Sequence, residues 1–460
     1  MTPLPTDTIA AIATPPGEGG IAIVRISGPK ALDCASRVFR AGQATAQSGL
    51  DLKSVASHTV HYGHVVRSGR RIDEVLLAVF RRPRTFTRED TVEISCHGGP
   101  RVAGMVLEAV LEAGVRMAAP GEFTQRAFLN GRMDLAQAEA VADLIHARTR
   151  RAVAAATEQL AGGLSRRIEP IREELMRVLA HVEAYIDFPD EDIRPETGDD
   201  LLRRLESADA ALEALLRTSG EGRVLRQGLR TVILGRPNAG KSSLLNRLLD
   251  HERAIVSAIP GTTRDTLEEG VEIRGIPVVL VDTAGLREAG DVLEAEGIRR
   301  SRAAMESADL SLLVLDGSEP LAAGDIALLS ETEDRPRVVV ANKSDLPRRA
   351  VFSEPVQPIW LSCRSGEGFD ALRAAIEVAA GVRLGDAEHA GVAVNARHSD
   401  ALRRTLAGLR AAVAALRSGL SADLVGVDLR LAVAALGEIC GKTTTEDLLD
   451  LIFSQFCLGK

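Results

Sequence analysis

The fold of the middle part of this chain is indicated by the stretch Gly235-Arg236-Pro237-Asn238-Ala239-Gly240-Lys241-Ser242. This stretch fits the pattern GxxxxGK[ST]. It follows the apolar run Thr231-Val232-Ile233-Leu234, which predicts a buried strand, and it precedes a predicted helix over Ser243 to Leu249. Glycines in such a loop let backbone N–H groups wrap phosphates at a helix N-terminus. We therefore expect Lys241 to reach the β- and γ-phosphates of a nucleotide and Ser242 to bind Mg²⁺.

A second predicted strand ends in polar residues suited to the same site. The run Val278-Val279-Leu280-Val281 leads into Asp282-Thr283-Ala284-Gly285. A carboxylate at this strand end, Asp282, can hold the Mg²⁺ shell through water, and the Gly285 amide can sense the γ-phosphate.

The polar residues that follow a third predicted strand indicate which nucleotide base is bound. The run Val338-Val339-Val340-Ala341 leads into Asn342-Lys343-Ser344-Asp345. Asp345 can accept hydrogen bonds from N1–H and the 2-amino group of guanine together, whereas adenine would leave this carboxylate unpaired. In Leu361-Ser362-Cys363 a small residue lets a backbone amide meet guanine O6, although Cys363 stands where alanine is usual. The order of these motifs predicts a nucleotide site for GTP, not ATP.

The residues that would orient the attacking water are not indicated by a single motif. Ras-like GTPases place Gln after DxxG to orient the attacking water, but Leu286 stands here. The polar candidates that follow are Glu288, Asp291, Glu294 and Glu296, each of which a solvated loop would also explain. The run Ser257-Ala258-Ile259-Pro260-Gly261-Thr262-Thr263-Arg264-Asp265 is the candidate switch loop, in which a threonine completes the Mg²⁺ shell. The amide oxygen of Asn238 is suited to a monovalent cation beside the phosphates.

The pattern of predicted helices and strands differs between the nucleotide motifs and the rest of the chain. Strand runs alternate with helical stretches over 223–379, which is typical of a parallel sheet covered by helices. The first 130 residues mix short strands with turns, and alanine- and leucine-rich helices lie on both sides of the 223–379 block, among them a long helix predicted from about Pro170 to Tyr185. The flanking helices indicate either one helical domain with an insertion or two separate helical caps.

Composition narrows the classes of protein. The 460 residues suggest about three domains, and a net charge of −8 excludes a polybasic, histone-like protein. Aromatic residues make up 3 %, which argues against a reader of single-stranded RNA built on stacked rings. Five cysteines without a CxxC pair fit neither a zinc site nor a disulfide framework, so we expect a cytoplasmic protein. No signal peptide and no run long enough to span a membrane is evident in the sequence.

The chain resembles the MnmE (also called TrmE) family of tRNA-modification GTPases over essentially its whole length. The resemblance is carried by the nucleotide motifs and by segments near both ends of the chain. These segments are Asp7-Thr8-Ile9-Ala10, Thr14-Pro15-Pro16-Gly17, Arg25-Ile26-Ser27-Gly28, Cys96-His97-Gly98-Gly99-Pro100, Pro120-Gly121-Glu122-Phe123, Ala127-Phe128-Leu129-Asn130 and Phe456-Cys457-Leu458-Gly459-Lys460.

The resemblance implies an α/β plus all-α fold. Its parts are an N-terminal α/β folate-binding and dimerisation domain over 1–130, a discontinuous helical domain over 131–222 and 380–460, and an inserted Ras-like P-loop G domain over 223–379. It also implies a homodimer joined through the N-terminal domains, with G domains that meet when GTP is bound.

The resemblance further assigns site residues. It implies K⁺ held by Asn238, Ser257, Ile259 and Thr262, Mg²⁺ held by Ser242 and Thr263, and Glu294 as the group that orients water. Folate contacts fall on Arg25, Glu93 and Arg132, with Lys460 near the pterin; Arg132 stands where lysine is expected in many members. The predicted GTP-binding set is Asn238, Ala239, Gly240, Lys241, Ser242, Ser243, Ser257, Thr262, Thr263, Asp282, Thr283, Ala284, Gly285, Asn342, Lys343, Asp345, Ser362 and Cys363, with Lys241 and Glu294 as the catalytic residues.

For function, the resemblance implies that the GTPase and an FAD-dependent partner protein modify C5 of the wobble uridine of certain tRNAs with a (carboxymethyl)aminomethyl-type group. The one-carbon unit comes from 5-formyl- or 5,10-methylene-tetrahydrofolate. Cys457 is either an active-site thiol or a small residue that packs a helix end. Two alternatives stay open: a GTP switch in ribosome assembly or translation, and a first domain that is only a dimerisation scaffold.

Overall fold

The structure, a computed structural model, describes residues 7–42, 50–187, 198–251, 253–255, 268–282, 304–381 and 394–460. The described chain groups into two compact units, one of residues 1–142 with 434–460 and the other of residues 143–433. Within the described part, no helix is both long and apolar enough to cross a membrane.

The first unit is built on a seven-stranded sheet. In chain order its strands are β1 (Ile9–Ile12), β2 (Ile21–Ser27), β3 (Phe39–Ala41), β4 (Thr59–Arg67), β5 (Arg70–Phe80), β6 (Thr91–His97) and β7 (Arg116–Met117), and they lie side by side in the order β3-β4-β5-β6-β2-β1-β7. The predicted strands from Ile21 and from Glu74 are confirmed within β2 and β5.

Helices cover one face of this sheet. They are α1 (Ala31–Val38) and α2 (Pro100–Glu112), and their apolar side chains pack on alternate strand residues such as Val24, Leu77 and Ile94, all fully buried. Strand residues alternate between faces, so their neighbours point to the opposite side. That second face carries Arg25, Glu93 and several exposed apolar side chains.

Short helices complete this unit. They are α3 (Glu122–Leu129), the first part of α4 (Leu135–His146) and α14 (Glu446–Phe453), which share an apolar cluster that includes Ala127, Leu135 and Phe453. Cβ on Gly459 would lie 2.9 Å from Ala13 Cα, so only glycine lets the chain pass so close to β1 there.

The second unit contains α5 (Arg150–Leu160), α6 (Gly163–Asp187), α7 (Gly198–Arg217), α8 (Ser219–Gln227), α12 (Ala396–Arg417) and most of α13 (Ala422–Cys440). The helix expected to begin near Pro170 in fact begins at Gly163, so that prediction was wrong at its start. Proline is common in a first helical turn, whereas Pro170 lies inside this helix, where it removes one backbone donor. Leu164 and Ile168, before Pro170, are fully buried, so the helix already packs on its neighbours there.

The same unit holds a second seven-stranded sheet of β8 (Leu229–Leu234), β9 (Arg253–Ile255), β10 (Glu268–Ile273), β11 (Ile276–Asp282), β12 (Leu310–Asp316), β13 (Arg337–Asn342) and β14 (Ile359–Trp360), in the order β14-β13-β12-β8-β11-β10-β9. The strands β14, β13, β12, β8 and β11 are parallel, as the alternating pattern predicts. Apolar clusters lie on both faces, with α9 (Lys241–His251) and α11 (Phe369–Ala379) on one and α10 (Ala323–Glu331) on the other. Ligands of such sheets bind at the carboxyl ends of the strands.

Candidate nucleotide and folate sites

The predicted phosphate loop lies between β8 and α9, as its sequence requires. Gly235 and Gly240 have φ angles of +150° and +100°, and Asn238 also has a positive φ, of +65°. Cβ on Gly235 would collide with the backbone oxygen of Val314, so only glycine allows this close approach. Lys241 is nearly buried, and its Nζ donates to the backbone oxygens of Gly235 (2.9 Å) and Arg236 (2.8 Å).

Asn342 ties this loop to the base-binding segments. Its Nδ2 donates to Ala239 O at 2.9 Å, and its Oδ1 accepts from Cys363 N at 3.2 Å. The side chain is almost fully buried and therefore fixes three loops relative to one another. Cβ on Gly240 would also collide with Asn342 Nδ2.

The residues expected to read guanine are pre-arranged. Ser362 Oγ donates to Asp345 Oδ1 at 2.6 Å. This hydrogen bond is the largest of the causes that lower the pKa of Asp345. The carboxylate therefore stays ionised at neutral pH and keeps accepting oxygens for N–H donors. Burial raises the pKa of the Cys363 thiol to about 11, so it is a neutral side chain here.

Asp316, which is not among the predicted site residues, supports this site through Lys343. Its Oδ2 lies 2.5 Å from Lys343 Nζ, and Lys343 itself has a φ of +66°. Burial raises the pKa of Asp316, but hydrogen bonds from Lys343 and from Ser318 outweigh burial and lower it. The signal was present, because Asp316 ends β12 beside β13, and the carboxyl ends of parallel strands meet at one edge.

These groups surround a cavity of about 660 Å³. Nine residues of the predicted GTP-binding set line this cavity. They are Asn238, Gly240, Lys241, Ser242, Ser243, Asn342, Lys343, Asp345 and Cys363. Ala239 and Ser362 are buried just behind it and act through the hydrogen bonds described above. Asp282 ends β11, whereas Ser257, Ile259, Thr262, Thr263, Thr283, Ala284, Gly285 and Glu294 lie outside the described residues. The roles of all these residues stay predictions.

A second cavity, of about 500 Å³, lies in the first unit. It is lined by Arg25, Glu93 and Arg132, three of the residues expected to bind folate, together with Phe80 and Phe86. Arg25 Nε lies 2.8 Å from Glu93 Oε1 because Arg25 and Glu93 are paired across β2 and β6. The centre of the Phe86 ring lies 5.9 Å from Arg25 Cζ and 5.0 Å from Arg132 Cζ, close to both guanidinium groups.

The two C-terminal candidates are placed differently. Among the described residues, neither Cys457 nor Lys460 lines the cavity, although Lys460 O accepts from Phe123 N at 3.2 Å and the Phe123 ring lies 5.6 Å from Arg25 Cζ. The Cys457 side chain is exposed, which disagrees with its interpretation as a packing residue. Within the described residues no group of three or more His, Cys, Asp or Glu side chains is arranged to hold a metal ion.

Comparison with known proteins decides the family. The family model described as the MnmE helical domain matches residues 135–457, and that of the GTP-binding protein TrmE N-terminus matches 8–132. A tRNA modification GTPase MnmE from Geobacillus kaustophilus is 48 % identical over 468 residues, with 99 % of each chain covered. The chain belongs to the MnmE family. It is therefore a GTP hydrolase that acts in tRNA modification, as the sequence analysis predicts.

Other relatives agree with this membership. The MnmE of Chloroflexus aurantiacus is 50 % identical, with 99 % of this chain and all of the relative covered. The MnmE of Heliobacterium modesticaldum is 49 % identical, with 99 % of each chain covered. A solved structure, the G domain of the T. maritima FeoB iron transporter, is 24 % identical and covers 33 % of this chain and 98 % of its own, but its TM-score of 0.24 is too low to support a conclusion.

Proposed function

We propose that this MnmE-family GTPase works with an FAD-dependent partner protein to place an aminomethyl-type group on C5 of the wobble uridine of certain tRNAs. A tetrahydrofolate derivative, in its 5-formyl or 5,10-methylene form, supplies the one-carbon unit. The observation that carries this proposal is the second cavity, which brings Arg25, Glu93 and Arg132 together beside an aromatic ring. The protein acts in the cytoplasm.

The chemistry of this cavity suits a reduced folate. The Arg25–Glu93 pair is largely buried, with 18 % and 23 % of the side chains exposed, so it offers both donors and a carboxylate to a polar ring edge. Phe86 and Phe80 give apolar surface for a planar head group. Arg132 keeps a positive charge for an anionic tail. A site with a small number of convergent polar groups on an apolar wall is the usual form of a cofactor site.

Metal ions are assigned to the first cavity. Ser242 opens α9 beside Lys241, where its hydroxyl is suited to Mg²⁺, with Thr263 as the second protein ligand. Asn238 lines the same cavity, and its amide oxygen is suited to K⁺, with Ser257, Ile259 and Thr262 completing the set. Bound cations would neutralise charge that develops on the phosphates. Lys241 holds the β- and γ-phosphates, and Glu294 orients the attacking water.

Exposed apolar side chains on the second face of the first sheet support a homodimer through the N-terminal domains. Val60, Tyr62 and Leu76 lie on this face with 62 %, 46 % and 47 % of their surface exposed, and Ile21 extends the patch with 64 %. A contiguous exposed apolar patch usually marks an interface. The folate cavity lies on the same face, because Arg25 and Glu93 alternate with the core residues of their strands.

Contacts within the second unit support a helical domain that is interrupted in sequence. Arg410 on α12 pairs with Asp209 on α7 at 2.8 Å, and Arg417 pairs with Glu206 at 2.6 Å. These helices come from opposite sides of the 223–379 block. The domain boundaries stay a proposal, since residues 434–460 group with the N-terminal unit and α8 runs across residue 222.

Mass spectrometry of wobble uridines tests the proposal. Cells that lack this protein should lose the C5 modification, and the native gene should restore it. A gene carrying Arg25→Ala should fail to restore it if the folate cavity is required, whereas Arg101→Ala, an exposed arginine on α2, should succeed. Unchanged C5 modification in the deletion strain would contradict the proposed reaction.

A further inference from the structure

Three arginines stand around the opening of the folate cavity without a compensating charge. Arg84, Arg88 and Arg132 all line the cavity and are exposed. Arg88 Nη1 donates to Asn130 O at 3.0 Å, and Arg132 Nη1 donates to Thr85 O at 2.8 Å, so backbone carbonyls orient both side chains. Within the described part of the chain, none of the three guanidinium groups pairs with a carboxylate.

The deeper part of the cavity differs from this rim. There the positive charge of Arg25 is balanced by Glu93. The rim therefore carries three unbalanced positive charges in a protein whose net charge is −8. Such local concentration of one sign favours a ligand group of the opposite sign.

The rim arginines also affect each other. Burial, and secondly the positive charge of Arg88, lower the pKa of Arg132. This repulsion destabilises the empty rim and is relieved when an anion lies between the two guanidinium groups. Arginine is suited to that role because its fork of donors binds a carboxylate through two hydrogen bonds.

Another arginine of the same segment has a structural role instead. Arg81 donates from Nε to Val55 O at 2.9 Å and from Nη2 to Leu52 O at 3.0 Å, so it holds a neighbouring loop. Arg81 and Arg84 belong to one basic run, Arg81-Arg82-Pro83-Arg84. Only Arg84 of these arginines lines the cavity within the described residues.

We propose that the rim formed by Arg84, Arg88 and Arg132 binds a chain of carboxylates, so that the site prefers reduced folates that carry several glutamates over the monoglutamate. The inference rests on the proposed folate site and specifies its substrate class. The rim arginines converge on one cavity of about 500 Å³, a size that suits a small polyanion better than an RNA backbone.

Calorimetric titration of the full-length protein tests this. The probes are 5-formyl-tetrahydrofolate as the monoglutamate and as the triglutamate. Each added carboxylate forms one exposed ion pair, so the triglutamate should bind roughly two- to thirtyfold more tightly. The preference should shrink at high salt, which screens exposed charges. Equal affinity of the two forms for the native protein would overturn the inference and leave the folate site itself standing.

Variants test whether the rim arginines cause the preference for the triglutamate. The double variant Arg84→Ala with Arg88→Ala should lose most of the preference for the triglutamate, and Arg101→Ala, which removes an exposed arginine outside the cavity, should keep it. Circular dichroism confirms that both variants are folded. A double variant that keeps the preference but binds tRNA more weakly would assign the rim to RNA and overturn the inference. Binding of neither folate would overturn the proposed folate site and the inference together.

Discussion

At the scale of single residues, Asp345 is the group that we propose recognises guanine. Ser362 fixes one carboxylate oxygen and lowers the pKa of Asp345, so the group is ionised and oriented before any ligand arrives. The sequence predicts the guanine contact from the motif alone. It does not reveal that Ser362, fully buried, is the group that orients the carboxylate.

Replacing Asp345 with Asn should weaken GTP binding by at least roughly a hundredfold, because two charge-assisted hydrogen bonds to guanine are lost. Xanthosine triphosphate has a carbonyl where guanine has its 2-amino group, and the introduced side-chain amide can donate to that carbonyl. Fluorescent-nucleotide titration should therefore show tighter binding of xanthosine triphosphate to Asp345→Asn than to the native protein. A variant that binds both nucleotides like the native protein would contradict the assignment of Asp345.

Glu294 is assigned on the family resemblance and lies outside the described residues. Glu294→Ala should lower the rate of GTP hydrolysis by about 10²- to 10⁴-fold, since it removes the group that orients water. Nucleotide affinity should change little, because this group does not hold the phosphates. Single-turnover hydrolysis and nucleotide titration separate the two quantities.

The matched control for this prediction is Glu296→Ala, which removes a carboxylate two residues further on. It should retain hydrolysis. A Glu294→Ala protein that loses affinity instead of rate would mean that Glu294 has a structural role.

At the scale of elements, α3 is held to the first sheet by a buried ionic cluster. Arg126 is fully buried and contacts Asp7 Oδ1 at 2.7 Å, Glu122 Oε1 at 2.9 Å and Glu89 Oε1 at 3.2 Å. Ser27 Oγ donates to Glu89 Oε2 at 2.7 Å, which extends the cluster toward the loop that lines the proposed folate cavity. Removing one member of a buried ion pair leaves its partner uncompensated, so this cluster constrains the element strongly.

Acid should loosen α3 through Glu122. Burial raises the pKa of Glu122, but hydrogen bonds from Arg116, Ala119 N–H and Arg126 outweigh burial, so its pKa lies below the ordinary value. A lowered pKa in the folded state means that the stabilisation is complete above about pH 4.3 and is lost as pH falls through the folded pKa. Hydrogen exchange of peptides from α3 should show this loss as the pH falls from about 5 to about 3.

In Glu122→Gln the free energy of opening of α3 to hydrogen exchange should be about 1–2 kcal/mol lower than in the native protein at pH 6. The dependence of this free energy on pH should also be weaker. Glu108→Gln is the control, because Glu108 pairs with Arg67 at the surface, where 51 % of its side chain is exposed. If Glu122→Gln kept the native pH dependence, Glu122 would not be the titrating group.

At the scale of the whole molecule, the exposed apolar patch of Ile21, Val60, Tyr62 and Leu76 is the strongest candidate for self-association. Leu76→Asp places a charge in the exposed apolar patch and should shift the protein from dimer to monomer in analytical ultracentrifugation. Val351→Asp is the matched control, because Val351 is 81 % exposed and belongs to the second unit. A dimer that survives Leu76→Asp would place the interface elsewhere.

The proposed K⁺ site predicts that GTP hydrolysis depends on which monovalent cation is present. GTP hydrolysis should be at least roughly tenfold faster in K⁺ than in Na⁺ at equal ionic strength, because the cation must match the spacing of its oxygen ligands. Asn238→Ala should reduce this difference. Asn246→Ala, on the exposed side of α9, should retain it. Equal rates in the two salts would remove the K⁺ assignment.

The nucleotide chemistry can be predicted from the sequence alone, because phosphate and guanine recognition depend on short segments whose glycines, lysine and carboxylate act within a few residues of one another. The strand–loop–helix order around Lys241 is therefore readable locally, and Asn342 and Asp345 follow from one tetrapeptide.

Contacts between segments that are distant in sequence become evident only in the folded protein. Arg25 and Glu93 meet only because β2 and β6 are neighbours, and Arg84, Arg88 and Arg132 converge only through folding of the first unit. The sequence alone cannot tell the carbonyl-binding Arg81 from the cavity-lining Arg84, since both stand in one basic run. The charge of a residue is local, but its partner is set by the register of the sheet.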